Sequence, residues 1–395
     1  MSKHEHDFDP DDELLEKTPE HVVKGLGFDP LDLEEDVKAS DPGTEVGRAN
    51  SGMVNAMVMR GVLMTGAANW LAQRQSERVT ALGHELASEI RQDYPIEDGG
   101  AHVFRSAEKR IRNAYAGIQE DVQKQLEQLA EIVSKAHVEA ASGHHGLVVK
   151  QKALDAAGMN VLGLKLGEHF QKQGDDMLTR FKAEIRKGIE NEDSVEDLVA
   201  RVVGGGEVNA SAPEGYPLGM VRAAGKPLVL KVGILDTSLN SLSMLMQNAV
   251  LSAATDIEGG FFDDLDDDDA EVMGLQWVCA LENTCDECLV YDGSQWTKDY
   301  EPVGDGLPYP GDPPEAMHPN CRCRVVPVDL TEPAVVPRKV DSYLKDQNPD
   351  VLADVFGKAP TRAFLEGQIG GKELIGSGFV LTPDDIARLL PQMEW

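Results

Sequence analysis

All five cysteines of this 395-residue chain fall between Cys279 and Cys323. That crowding restricts the fold more than any other feature. The segment runs Trp277-Val278-Cys279-Ala280-Leu281-Glu282-Asn283-Thr284-Cys285-Asp286-Glu287-Cys288, and after 29 residues comes His318-Pro319-Asn320-Cys321-Arg322-Cys323. Two thiolates in a Cys-x-x-Cys turn can face one ion at about 2.3 Å, and His318-x-x-Cys321 supplies a second pair by the same logic. Cys285, Cys288, His318 and Cys321 would fill a tetrahedral shell, giving a closed, structural zinc site. Cys323 is an alternative ligand to Cys321 or His318, because alternate residues of an extended segment share a face. Cys279 lies outside this set. The intervening loop holds Gly293, Gly304, Gly306, Gly311, Pro308, Pro310, Pro313 and Pro314. Such a loop cannot build a hydrophobic core alone, so a metal staple has a physical purpose there. Three other readings compete. Cys321 and His318 could be a nucleophile dyad, but no oxyanion element is readable beside them. Cys285 and Cys288 could be a redox pair, but no βαβ pattern surrounds them. The plainest alternative is a group of buried thiols without metal.

Composition sets the frame around this site. Apolar residues are 41% of the chain, which excludes wholesale disorder, and the length suits two or three domains. Aromatics are only 5%, so a core of Ala, Leu, Val and Met points to helices rather than a sheet sandwich. The 37 basic residues face 69 acidic ones, a formal charge of -32 that repels nucleic acid at long range. No apolar run is long enough to span a membrane, and the acidic start is unlike a secretory signal, so a reducing cytoplasm is expected.

Along the chain, residues 1–45 carry 15 acidic and 4 basic residues and read as a disordered acidic arm with one short helix near Pro19–Leu26. Residues 46–203 read as a long-helix region. Within it, Met53, Val54, Met57, Val58, Val62, Leu63, Ala67, Trp70 and Leu71 recur at helical spacing around most of the circumference. This run is either a buried core helix or, given Met53, Met57, Met59 and Met64, a face that packs on a partner protein. Residues 102–141 show Ile111, Tyr115, Ile118, Val122, Leu126, Leu129, Val133 and Val138 at three- and four-residue steps, an amphipathic helix ending at Ser142–Gly146. The His144-His145 pair there reads as a polar turn rather than a metal site. Residues 147–187 are helical again, and Ser194 to Asp197 opens a further helix with a capping pattern. Residues 204–227, rich in Gly, Ala and Pro, read as a linker or loop. Leu228–Leu235 is a strand candidate, Ser238–Ala254 a helix, and Asp263–Asp269 an exposed acidic loop without calcium-loop spacing. The expected fold class is mainly α, with a C-terminal α+β zinc-stapled module over residues 228–395.

The order Trp277, Cys285-x-x-Cys288, Asp292-Gly293, a Pro/Gly loop and then His318-Pro319-Asn320-Cys321-Arg322-Cys323 resembles the Mu F-like minor head proteins of tailed bacteriophages. Gly188-Ile189 with Ser194–Val203 is similar to that family's preceding helix. The stretch Tyr343-Leu344, Val355-Phe356-Gly357, Arg362, Gly367 and Leu381-Thr382-Pro383 is similar to its closing helices. The resemblance covers roughly residues 177–395; residues 1–100 match no known pattern, and the Asp-rich loop and the strand-like 228–235 depart from it. It implies a head-morphogenesis protein of the virion, without catalytic residues. Its partners would be the portal protein and the major capsid or scaffold protein, and it would lie at the portal vertex or capsid interior after assembly in the host cytoplasm. Ejection with the DNA is a further implication. Two other functions remain to be weighed. An enzyme such as a toxin fused to this module would need acid/base or nucleophile motifs, which residues 1–176 lack. A nucleic-acid-binding zinc module would need a basic surface. Between Cys285 and Cys323 the only basic residues are Lys298 and Arg322, against Asp286, Glu287, Asp292, Asp299, Glu301, Asp305, Asp312 and Glu315.

Overall fold

The computed structural model describes residues 43–204, 218–223, 226–231, 233–259, 265, 271–279, 286–313, 317–319, 321–335 and 340–393. The acidic arm up to residue 42, most of the Asp263–Asp269 loop and Cys285 lie outside the described residues. Helix α1 spans Glu45–Gln92. Thr44 caps it by accepting the Gly47 amide at 2.9 Å. No proline interrupts the chain until Pro95, just past the end of the helix. Helix α2, Ala101–His145, runs back along it and stops at Gly146, whose φ of 69° a side chain would oppose. Its buried positions include Ile111, Tyr115, Ile118, Val122, Leu126, Leu129 and Val133, the stripe expected from the spacing.

The Met-rich run is a core helix. Met53, Val54, Met57, Met59, Val62, Leu63 and Met64 are at most 1% exposed. Their partners come from within the chain. The largest interface of α1 is with α5, Ile234–Glu258. Gly66 has no side chain, which lets Phe379 and Leu381 pack against the helix, and the Leu381 amide donates to the Gly66 carbonyl at 3.1 Å. The reading of this run as a partner-protein face is therefore corrected: the strands Met273–Val278 and Arg324–Asp329 cover its first half, and α5 and the C-terminal segment its second.

Two short strands, β1 (Asn160–Val161) and β2 (Leu164–Lys165), lead into α3, Leu166–Glu190, and α4, Val195–Val203. Ser194 caps α4 through the Asp197 amide, as the sequence pattern implies. A hairpin follows, β3 (Leu218–Ala223) with β4 (Lys226–Lys231), so the expected linker of 204–227 ends in a strand. The strand candidate Leu228–Leu235 is also corrected. The strand stops at Lys231, and Ile234 and Leu235 open α5, because Gly233 donates its amide to Asp236 at 2.9 Å and starts the helix early.

Beyond α5 lies a three-stranded antiparallel sheet in the order β6-β5-β7: β5 is Met273–Val278, β6 Gln295–Thr297 and β7 Arg324–Asp329. Pro327 is tolerated because β7 is an edge strand. Gly274 is required, since a Cβ there would sit 2.4 Å from the Trp296 carbonyl. Two buried amides tie the sheet down. Gln276 exchanges two hydrogen bonds with the Val335 backbone, at 2.6 and 2.8 Å. Asn50 of α1 does the same with Asp329 of β7, at 2.9 and 2.8 Å. Helices α6 (Asp286–Leu289), α7 (Val340–Asp346), α8 (Pro349–Phe356), α9 (Lys358–Leu365), α10 (Gly371–Ile375) and α11 (Pro383–Leu389) complete the chain. The architecture is mainly helical with a small C-terminal α+β part. One buried cluster runs from Met59 to Met393, so residues on both sides of 204–227 share a core. Among the described residues, no helix is long and apolar enough to cross a membrane.

Candidate metal centre

Three chain segments meet at one corner of the sheet. Strand β5 ends at Val278 and delivers Cys279. The single turn of α6 carries Cys288. The His318–Cys323 segment then enters β7. The packing beneath is small: Trp277 and Trp296, both at 0% exposure, with Cys288, Cys321 and Cys323. Tyr291 lies against both Trp rings, at 5.7 and 6.4 Å between centroids, and Tyr309 meets Trp296 edge-on at 5.1 Å. The Trp296 indole N–H donates to the Leu307 carbonyl at 2.8 Å, fixing the loop over the site.

The Sγ atoms of Cys288, Cys321 and Cys323 all lie within 4.8 Å of one another, and all three residues are buried. They are close enough to bind one metal ion. Cys288 Sγ is 3.6 Å from Cys321 Sγ. Two 2.3 Å bonds at a tetrahedral angle place their sulfurs ~3.8 Å apart, so the observed separation matches ligands of a common ion. His318 Nε2 lies 3.3 Å from Cys288 Sγ, while its Nδ1 faces the Pro319 carbonyl at 3.0 Å. A carbonyl only accepts, so the proton sits on Nδ1 and the Nε2 lone pair faces the thiols. Metal-ligating histidines are oriented in this way.

The electrostatics agree with the geometry. The neighbouring Cys323 thiol, followed by burial, pushes the Cys321 pKa up. Contact with Cys279 comes first in pushing Cys323 up. Three crowded buried thiolates repel one another, and a divalent cation supplies the opposing field that lets them ionise. Beside them, burial also raises the Asp292 pKa, and Asp292 accepts the Cys279 amide at 2.8 Å.

Of the residues expected as ligands, Cys288 and Cys321 come together here with Cys323, while His318 lies beside Cys288 but outside the set of mutually close ligand atoms. Cys285 lies outside the described residues. Cys279, absent from the expected set, has its Sγ 3.3 Å from Cys323 Sγ. The signal for that contact is strand register: Val278 pairs with Arg324, which makes Cys279 and Cys323 the next opposing pair. The His144-His145 pair does not form a metal cluster with other described residues. The His144 ring instead fills the space over Gly52.

A second polar group was not legible in the sequence. Arg60 of α1, Glu258 of α5 and Arg324 of β7 are all at least nine-tenths buried. Glu258 lies between the two guanidiniums, at 3.7 and 3.6 Å, and Arg60 also contacts His137 at 3.3 Å. The Arg324 guanidinium lies over Gly61. Since Arg324 directly follows Cys323, this ionic cluster anchors the thiol segment to the helical core.

Comparison with family models, with curated proteins and with solved structures finds no match.

Proposed function

We propose that this chain is a head-morphogenesis protein of a tailed phage, a minor virion component that associates with the portal or inner capsid during assembly. The observation that supports this reading most is the His318–Cys323 string, which combines a family-like sequence with a folded three-thiol cluster at metal-ligand spacing, with His318 beside Cys288. The metal we assign is zinc in a structural role. Soft thiolates with one imidazole favour it, and a shell filled by protein ligands leaves no open position for catalysis. Cys288, Cys321 and Cys323 hold the ion with His318 as the fourth ligand, and Cys285 is the alternative fourth. The zinc makes rigid a Gly/Pro loop that a large oligomeric partner can grip. With α1 buried, the gripping surface lies elsewhere than on the Met-rich run.

The test is to mix the purified protein with the portal protein encoded near it and image the product by negative stain. Added density on the portal ring, and co-purification of the two, is the expected result. Indifference to portal and procapsid, with salt-sensitive duplex binding instead, would overturn the reading.

A further inference from the structure

The fourth described cysteine has a place of its own. Cys279 and Cys323 stand opposite each other one step beyond the last β5–β7 pair. Opposing residues of antiparallel strands have Cα atoms about 4.5–5.5 Å apart, inside the span a disulfide bridges. Their sulfurs are 3.3 Å apart. Cys279 is the most exposed of the four described thiols. It is held in register by two contacts, its amide to Asp292 at 2.8 Å and its Sγ to the Cys288 carbonyl at 3.2 Å. Cys323 is one of the three clustered thiols close enough to share an ion, and Cys279 is not.

We propose that Cys279 and Cys323 form a peroxide-sensitive pair, whose disulfide takes Cys323 away from the metal and opens the staple. The metal half of this inference rests on the zinc reading above; the disulfide half rests on the strand geometry. The Cys279 thiolate attacks hydrogen peroxide: an S–O bond forms, the O–O bond breaks, and the departing hydroxide takes a proton to become water. The Cys323 sulfur then attacks Cys279 Sγ, the S–S bond forms, and the S–O bond breaks with loss of a second hydroxide, protonated to water. Two thiols lose two electrons in all, and one peroxide becomes two waters. A Cys323 sulfur committed to the disulfide would no longer be free to hold an ion, and the thiols left behind would take up protons once the ion is lost.

Zinc-loaded protein treated with hydrogen peroxide tests this, reading zinc release with a chromogenic chelator and the crosslink by peptide mass spectrometry. The wild type should release zinc as a Cys279–Cys323 peptide appears. C279S should carry zinc as purified and release it at least about tenfold more slowly, because the thiolate that attacks peroxide, and to which Cys323 then bonds, is gone. Equal release rates, or a crosslink joining other cysteines, would overturn the proposal. So would C279S lacking zinc while C323S retains it, since Cys279 would then be a ligand. A wild type that never holds zinc yet forms the Cys279–Cys323 link would remove the zinc reading and leave the oxidisable pair standing.

Discussion

The helical body and the thiol corner are stabilised in different ways. In the body, α1, α2, α3 and α5 bury long periodic stripes of Met, Leu, Val and Ile in one continuous cluster. At the corner, two Trp and three Cys are the buried apolar set among the described residues, under a loop rich in Gly and Pro. Burial at about 25 cal/mol per Å² suffices for the first. The second has too little apolar area to fix so long a loop, and the proposed metal staple would supply the missing constraint. Substitutions in the two regions should therefore fail differently, one by loss of the fold and the other by loss of the ion.

The largest effect is expected in the body. Leu63→Asp puts a carboxylate at a fully buried position of that cluster, at a cost of at least ~5 kcal/mol. Circular dichroism should show a chain that no longer folds cooperatively; native-like spectra would mean that α1 is not core. Next comes the link between the regions. Glu258→Gln leaves Arg60 and Arg324 buried without their counter-charge, which costs about 3–5 kcal/mol. Chemical denaturation measures it, and a loss below 1 kcal/mol would show the cluster to be incidental. Cys321→Ser should spare the helical signal and remove the ion. With zinc present at 100- to 1,000-fold over its Kd, the lost stabilisation is about 3–4 kcal/mol. EDTA should lower the wild-type Tm to that of the variant.

Acid acts on the body through its histidines. Burial, reinforced by the Arg60 charge, lowers the His137 pKa to about 3. Burial lowers that of His145 to about 4. Both are neutral in the fold and titrate near 6.5 when unfolded. Between these values the unfolded chain binds more protons. Their contribution is therefore full above about pH 6.5 and falls as pH drops toward 4, by about 3 kcal/mol for each histidine. Urea midpoints across this range should fall for the wild type and fall less for His137→Gln. The smallest effect belongs to a cap: Thr382→Ala removes the acceptor for the Asp385 amide in α11 and should cost about 1 kcal/mol.

Legibility also differed between the two regions. The α2 stripe was readable because every buried residue recurs at helical steps. The Met-rich run was readable as a helix, but its covering partners are distant in sequence: strands β5 and β7 pack on Met53 and Met57, and Phe379 and Leu381 pack over Gly66. No local pattern reveals such contacts. The start of α5 is ambiguous in sequence because Ile234 and Leu235 suit a strand equally well, and the Gly233–Asp236 cap decides between the two. At the corner, residue type and spacing marked Cys288, His318, Cys321 and Cys323. The position of Cys279 depends on β5–β7 register, and the Arg60–Glu258–Arg324 cluster on the approach of three distant elements. Neither leaves a local trace in the chain.

Hydrogen exchange of zinc-loaded protein before and after chelation tests the contrast most directly. If the ion is the constraint at the corner, chelation should release about one zinc per chain, as a single tetrahedral site implies. It should also raise exchange across residues 286–323 while α2 and α3 keep their protection. A protein that carries no zinc, or one whose exchange at 286–323 is unchanged by its removal, would contradict the account.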